Sequence, residues 1–315
     1  MEKKTQDLKP DIVLKNYWND KEQFADLFNA VLFQGEQVIK AEELEDVDTE
    51  ESMILEHKDY AESIKASRDT IKIHKKSIVH GVELVLFGLE NQENIHYAMP
   101  LRVMGYDYGT YKKQYDSNAK KYTTGKGITR DEYLSRMKKT DKFIPVITVV
   151  IYYGEKAWDG ATSLHEMLDI SEKMAQYVNN YRILLVEARK NDLILHNMNN
   201  KDLFNLLQII LDQTITKREA KRKAIQYSEE YKPNKSVIMT VAGATNMKLD
   251  YNVLMKGESN MCTLFEEIAK ENEAKGIIET GFDFGVSEND ILDRLQKKLN
   301  ISLEVAQEYL KIFKK

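Results

Sequence analysis

Three polar side chains, Asp69, Glu90 and Gln92, stand at the ends of two stretches patterned like strands, where they could do metal-assisted chemistry. Thr70-Ile-Lys-Ile-His74 alternates with period two, and Val82-Glu-Leu-Val-Leu-Phe87 is a mostly apolar run of the kind a strand buried on both faces shows. Gly81 belongs near the turn between them. Paired antiparallel, the two strands would bring Asp69, at the start of the first, beside Glu90 and Gln92, at the end of the second. Glu90 and Gln92 are two residues apart, so on a strand they project to the same face. A hard divalent cation such as magnesium takes oxygen ligands and keeps several waters, so two carboxylates suffice to hold it. An ion held there could bind a phosphate oxygen, lower the pKa of an attacking water and stabilise a leaving oxygen. Gln92 could orient water or phosphate through its amide but, being neutral, cannot stabilise charge as a lysine would. The competing reading is that the same acids lie inert on a solvated sheet edge, and spacing leaves both open.

These residues need a sheet and helices to hold them. Asn19-Asp20-Lys21-Glu22 reads as a helix start with Asn19 as the cap. Phe24, Leu27, Phe28, Val31 and Leu32 then form one apolar helical face, flanked by Asp26 and Asn29 and stopped near Gly35. The acidic run 42–51 reads as a solvated connector, with a short helix around Ser52 to Ala66. After Gln92 the spacing of Ile95, Met99, Val103 and Tyr106 predicts a helix to about Tyr115, with Pro100 kinking it. The Lys- and Tyr-rich stretch 116–139 reads as a long loop carrying a short helix from Arg130 to Met137. Phe143 to Tyr152 is the strongest strand signal, and Tyr181 to Glu187 is a further strand. Asp202 to Ile215 forms an amphipathic helix with Leu203, Leu206, Leu207, Ile210 and Leu211 inward. Beyond about 216 strand signals fade. Ser287-Glu-Asn-Asp290 resembles a capping box, and a turn at Asn300-Ile-Ser302 separates two helices of a closing hairpin.

Composition sets the limits. The chain has 315 residues, is 42% hydrophobic and 31% charged, and carries a net charge of −5. No run approaches the roughly 18 apolar residues needed to cross a bilayer, and the polar start Met-Glu-Lys-Lys lacks the apolar stretch of a secretory signal. The expectation is a cytoplasmic protein with no membrane partner. Cys262 is the single cysteine, which excludes an intrachain disulfide and a cysteine-rich metal site. The net charge argues against a uniformly basic nucleic-acid binder but not against local patches. Two such patches are present, each able to contact phosphate: the Lys/Tyr segment 111–126, equally readable as a solvated loop, and Lys217 to Lys223, a run of the kind that is mostly an exposed helix face. His96 could contact DNA or sit as a satisfied, partly buried imidazole. Tyr153, Trp158 and His165 read as packing residues, and the remaining histidines lack metal-ligand spacing. Neither a phosphate-binding glycine loop nor a Ser-His-Asp signature occurs.

An ordered set of short motifs carries a resemblance. Phe24-Ala-Asp-Leu-Phe-Asn29, Arg68-Asp69, Gly88-Leu-Glu-Asn-Gln92, Ile95-His-Tyr-Ala-Met-Pro100, Ile144-Pro-Val-Ile-Thr148, Ile151-Tyr-Tyr-Gly154, Trp158-Asp-Gly160 and Ser163-Leu-His165 together resemble the Rpn family of recombination-promoting nucleases, also described as transposases of the PD-(D/E)XK type. The segment from Gly281 to Phe313 is similar to the helical tail of long members. The resemblance implies an α/β fold: a PD-(D/E)XK restriction-endonuclease-like core of helix, strand hairpin, helix and strand around a mixed central sheet, plus a helical C-terminal region. It also implies a magnesium-dependent DNA endonuclease tied to recombination or to defence against mobile DNA. In that scheme Asp69 and Glu90 are the two metal-binding acids. Gln92 takes the place where the wider superfamily carries lysine, a replacement this family shares. Asp26 is the candidate accessory acid on the first helix, with Glu22 as its rival. The expected organisation is a nuclease-like domain at 12–215, a helical connector with the basic cluster at 216–280, and a helical hairpin at 281–315 that could mediate self-association. The alternative function is an inactive nuclease scaffold that binds DNA or protein.

Overall fold

The computed structural model describes residues 10–47, 70–89, 95–123, 127–190, 192–245 and 261–313. Its centre is a five-stranded mixed sheet in the order β1 (Leu44–Asp46), β2 (Thr70–Ser77), β3 (Val82–Leu89), β4 (Val146–Tyr152) and β5 (Leu184–Glu187). β2 runs antiparallel to both β1 and β3, whereas β3, β4 and β5 run parallel. The expected hairpin is present: Ser77 pairs with Val82 at the turn and Thr70 with Leu89 at the far end. Gly81 takes φ 58° in that turn, a left-handed value that glycine reaches without a Cβ penalty.

The parallel step from β3 to β4 needs a crossover, and α3 (Met99–Ala119) supplies it. Strand alternation then divides the core in two. Ile73, Leu84, Leu86, Val149 and Ile151 face α1 (Pro10–Asn19) and α2 (Lys21–Phe33), where Leu14, Trp18, Phe24, Leu27 and Phe28 are fully buried. Val85, Phe87, Val150 and Tyr152 point the other way, onto Met99 and Val103 of α3 and Ile183. The result is helices on both faces of the sheet, an α/β sandwich. Within it the order α2, β1, β2, β3, α3, β4 places one helix before a three-strand meander and a second before the parallel strand.

Several local expectations are corrected. Asn19 ends α1, so the cap of α2 falls to Asp20, whose carboxylate accepts from Glu22 N and Gln23 N at 3.0 Å each. Pro100 does not kink a helix, because α3 begins at Met99 and proline in the first turn forfeits no intrahelical bond. Part of the acidic run is strand rather than connector: Leu44 is buried in β1, and Glu43 accepts a bond from Ser77 Oγ at 2.7 Å. The expected helix at Ser52 to Ala66 lies outside the described residues. In the stretch 116–139 the expected short helix is present as the capped α4 (Arg130–Ser135), while the loop before it is shorter than expected because α3 runs on to Ala119.

The helices after β5 also redraw the organisation. A short helix α5 (Glu172–Ala175) lies between β4 and β5. α6 (Met198–Ile210) presents Leu203, Leu206 and Leu207 inward as expected, starting four residues earlier than the sequence signal. α7 (Lys217–Tyr231) and α8 (Lys235–Ala244) are no connector: Ala224, Val237, Ile238, Val241 and Ala242 are buried in the main core, with α8 packed across α1. α8 is apolar nearly all round, which is the signature of an interior helix. α9 (Met261–Asp283) gives Met261 and Leu264 to that core. Its Ala274 and Ile278 join a separate cluster with α10 (Glu288–Leu299) and α11 (Leu303–Phe313). The C-terminal hairpin is therefore two helices of a three-helix unit. No helix among the described residues is long and apolar enough to cross a membrane.

Candidate functional site

The sheet end at which the hairpin ladder closes is where the sequence places its chemistry. There Thr70 of β2 pairs with Leu89 of β3, and Leu89 pairs in turn with Tyr152 of β4. Asp69, Glu90 and Gln92 lie outside the described residues; Thr70 and Leu89 are the chain neighbours of Asp69 and Glu90. What the structure describes is the frame around that end.

On the α1 and α2 face, the residue after β4 is Tyr153, fully buried, whose hydroxyl accepts a bond from the Trp18 indole at 2.8 Å. Beside Trp18, the Tyr17 hydroxyl donates to Asn200 Oδ1 at 2.9 Å. Burial, with Tyr153, Asp20 and Asp26 near it, pushes the Tyr17 phenol well above its usual range, so it stays a donor. Asn200 Nδ2 donates both to Gln23 O at 2.8 Å and to Asp26 Oδ2 at 2.9 Å. Asp26 Oδ1 accepts from His196 N at 2.7 Å. Asp26 is thus 3% exposed, with each oxygen engaged by the start of α6. Its visible work is to fasten α2 to α6. Glu22, the rival, is exposed on the first turn of α2. In the same cluster Gln23 Oε1 is buried without a hydrogen-bond partner.

The opposite face holds a second polar network, beneath α3. His74 Nε2 and Glu83 Oε2 are 2.9 Å apart and buried, Gln114 reaches the other Glu83 oxygen at 3.3 Å, and His74 Nδ1 has no partner. Asp107 accepts from Thr148 Oγ1 at 2.6 Å and from the Tyr181 hydroxyl. Burial raises the Asp107 carboxyl above its usual range, partly offset by those two donors and by Lys72. Burial likewise lowers the Lys72 ammonium, which sits 5.1 Å from the Tyr106 ring centroid. Apart from His74 Nδ1 these groups bond one another, so they tie α3 to the sheet.

Of the other sequence candidates, His96 is exposed just ahead of α3, and partial burial with Arg102 nearby holds its imidazole below the usual range. Trp158 donates to Gly160 O at 2.7 Å and meets Tyr152 edge-on, and His165 bonds Val178 O at 2.7 Å, so both pack as expected. Sequence reading missed the Tyr17, Trp18 and Asn200 cluster, because its members lie up to 183 residues apart. The adjacent aromatic pair Tyr17-Trp18 in an otherwise polar segment was the available signal. Among the described residues no group of three or more His, Cys, Asp or Glu side chains could hold a metal ion. Comparison with family models, curated proteins and solved structures gives no match.

Proposed function

We propose that this protein is a magnesium-dependent DNA endonuclease that hydrolyses phosphodiester bonds at the sheet end beyond Thr70 and Leu89. The observation that supports it most is the hairpin register. Thr70 pairs with Leu89 as the last pair of an antiparallel ladder, and pairing carried one residue further sets Asp69 opposite Glu90. By strand alternation the two acids would share the face of Ile73, Leu84 and Leu86, which α1 and α2 cover. The Rpn-like, PD-(D/E)XK resemblance implies helix, strand hairpin, helix and strand around a mixed sheet, and α2, the β2–β3 hairpin, α3 and β4 follow in that order, with the short strand β1 in addition.

Asp69 and Glu90 are hard oxygen donors of the kind magnesium takes. When bound, the ion would supply a Lewis acid for a phosphate oxygen and a lowered pKa for an attacking water. The chain's own residues do the rest. The two carboxylates would hold the ion, and the Gln92 amide would orient water or phosphate by hydrogen bonds. The Trp18–Tyr153 and Tyr17–Asn200–Asp26 bonds hold α1, α2 and α6 rigidly behind that end.

A second reading, an inactive scaffold that still binds DNA, is favoured by one feature: Gln92 is neutral where the wider superfamily carries a lysine. Plasmid nicking separates the two. Asp69→Ala and Glu90→Ala are each expected to abolish magnesium-dependent nicking while leaving the far-ultraviolet circular dichroism unchanged. Undiminished cleavage in either variant sinks the hydrolase assignment, and metal-independent, salt-sensitive DNA binding without turnover establishes the scaffold.

A further inference from the structure

The segment between α3 and β4 forms a built lobe whose acids are turned to internal use. From 112 to 142 the sequence has ten Lys or Arg residues and four acids. Asp141 is its hub, accepting from Lys138 N at 2.8 Å, Asn118 Nδ2 at 2.7 Å and the Tyr122 hydroxyl at 2.8 Å. Glu132 closes a capping box with Thr129 at the start of α4 and also accepts from Lys139 N at 3.3 Å. Asp116 pairs with Lys112 at 2.6 Å along α3. That leaves Asp131 as the acid with no such engagement, whereas Lys120, Lys121, Arg130, Lys139 and Lys142 are all exposed. Lys139 and Lys142 adjoin Lys138 and Asp141 in the sequence, and the charge of Lys121 acts on the Asp141 carboxylate.

We propose that this lobe is a docking surface for the sugar-phosphate backbone of duplex DNA, gripped without reading its bases. Choosing DNA rests on the nuclease reading above; the surface itself does not. Charge complementarity selects a polyanion. The tyrosines decide how it is held. Tyr115 donates to Ser135 O at 3.0 Å, Tyr122 to Asp141, and Tyr111 accepts from Val146 N at 3.0 Å. Lys112, Lys138 and Arg136 lie over Tyr115, Tyr122 and Tyr133 at 5.8, 5.6 and 5.3 Å from their ring centroids. The rings thus brace the lobe and carry its cations, so they are not open platforms for splayed bases, as single-strand binding would need. The lobe also stands at the other end of the sheet from the Thr70–Leu89 pair, since Tyr111 and Gln114 bond the strand start at Val146 and Ile144. The 21 residues of α3 span about 30 Å, close to the roughly 34 Å of one duplex turn.

The test is fluorescence anisotropy of a labelled 20-base-pair duplex with the full chain in EDTA, so that cleavage plays no part. Replacing Lys120, Lys121, Lys139 and Lys142 together by Glu is expected to weaken binding at least about tenfold and to flatten the log K against log salt slope by about 3 to 4. The same four positions changed to Gln should move both readouts in the same direction, and thermal melts check that each variant is folded. Duplex affinity and salt slope unchanged in the folded variants overturn the proposal, as does tighter binding of a single strand than of the duplex. Competition by poly-glutamate as effective as by DNA overturns nucleic acid as the occupant. Asp69→Ala that abolishes nicking but keeps lobe-dependent binding supports both readings. Lobe-dependent binding by a chain that never nicks fells the hydrolase alone.

Discussion

At the scale of single residues, Asp26 shows how a chemistry-bearing side chain can be committed to structure. Both oxygens accept donors, the part-buried His196 N and the buried Asn200 Nδ2, across 170 and 174 residues of sequence. Asp26→Ala removes the acceptor of His196 N and one of the two acceptors of Asn200 Nδ2, and an unsatisfied buried donor costs about 1–3 kcal/mol. Urea unfolding should therefore show a loss of about 2–5 kcal/mol for Asp26→Ala, and a smaller one for Asp26→Asn, which keeps one acceptor. A folded Asp26→Asn that retains magnesium-dependent nicking would place the residue in packing rather than among the metal ligands. The sequence made Asp26 visible as a polar residue beside an apolar stripe. It could not show the partners, because hydrogen bonds closed by tertiary packing leave no periodic mark. Asn200 and Tyr17 were hidden for the same reason, whereas the strands β2 and β3, next to Asp69 and Glu90 in the chain, announce themselves by pattern.

At the scale of elements, the lobe between α3 and β4 makes the sharpest contrast between pattern and structure. Its polar composition reads as loop, yet Asp141 and the Thr129–Glu132 box order it. The backbone bond from Lys138, with Asn118 and Tyr122, holds the Asp141 carboxyl below the usual carboxylate range. A depressed folded value means stability that is present above the unfolded value, near pH 4 for Asp, and is lost as pH falls through the folded one. Amide exchange should accordingly show protection factors in 116–123 and 129–142 falling on acidification before those of β3 and β4. Asp141→Ala should lower them about tenfold at neutral pH by local opening, with the sheet unaffected. Equal protection in variant and parent would remove Asp141 as the hub. The hairpin, β4 and the inward face of α2 were legible because burial imposes period two or 3.6 on apolar residues. β1 was not, since a three-residue edge strand of Leu, Glu and Asp is held by partner backbone and by Lys75 rather than by its own pattern.

For the whole molecule, the decisive boundary is inside α9 rather than at residues 216 or 281. Ala224, Val237, Ile238, Val241, Met261 and Leu264 belong to the core that also holds Trp18 and Phe28, and full burial of each larger side chain is worth about 1.5–3 kcal/mol. Ala274 and Ile278 belong instead with Ile291, Leu295 and Leu310. A chain ending at residue 215 thus strips α1 of the helix packed across it, a loss comparable to the whole 5–15 kcal/mol stability of an ordinary domain. It should show no cooperative urea transition. A chain ending at residue 272 keeps the main core whole and should unfold cooperatively with a midpoint near that of the parent. Ending at residue 280 should be worse behaved than ending at 272, because it leaves Ile278 and its neighbours on a bare helix face, a surface of the kind that drives aggregation. Light scattering on the two truncations reads this directly. Greater solubility of the chain ending at 280 would mean that α9 does not divide its two ends between two cores.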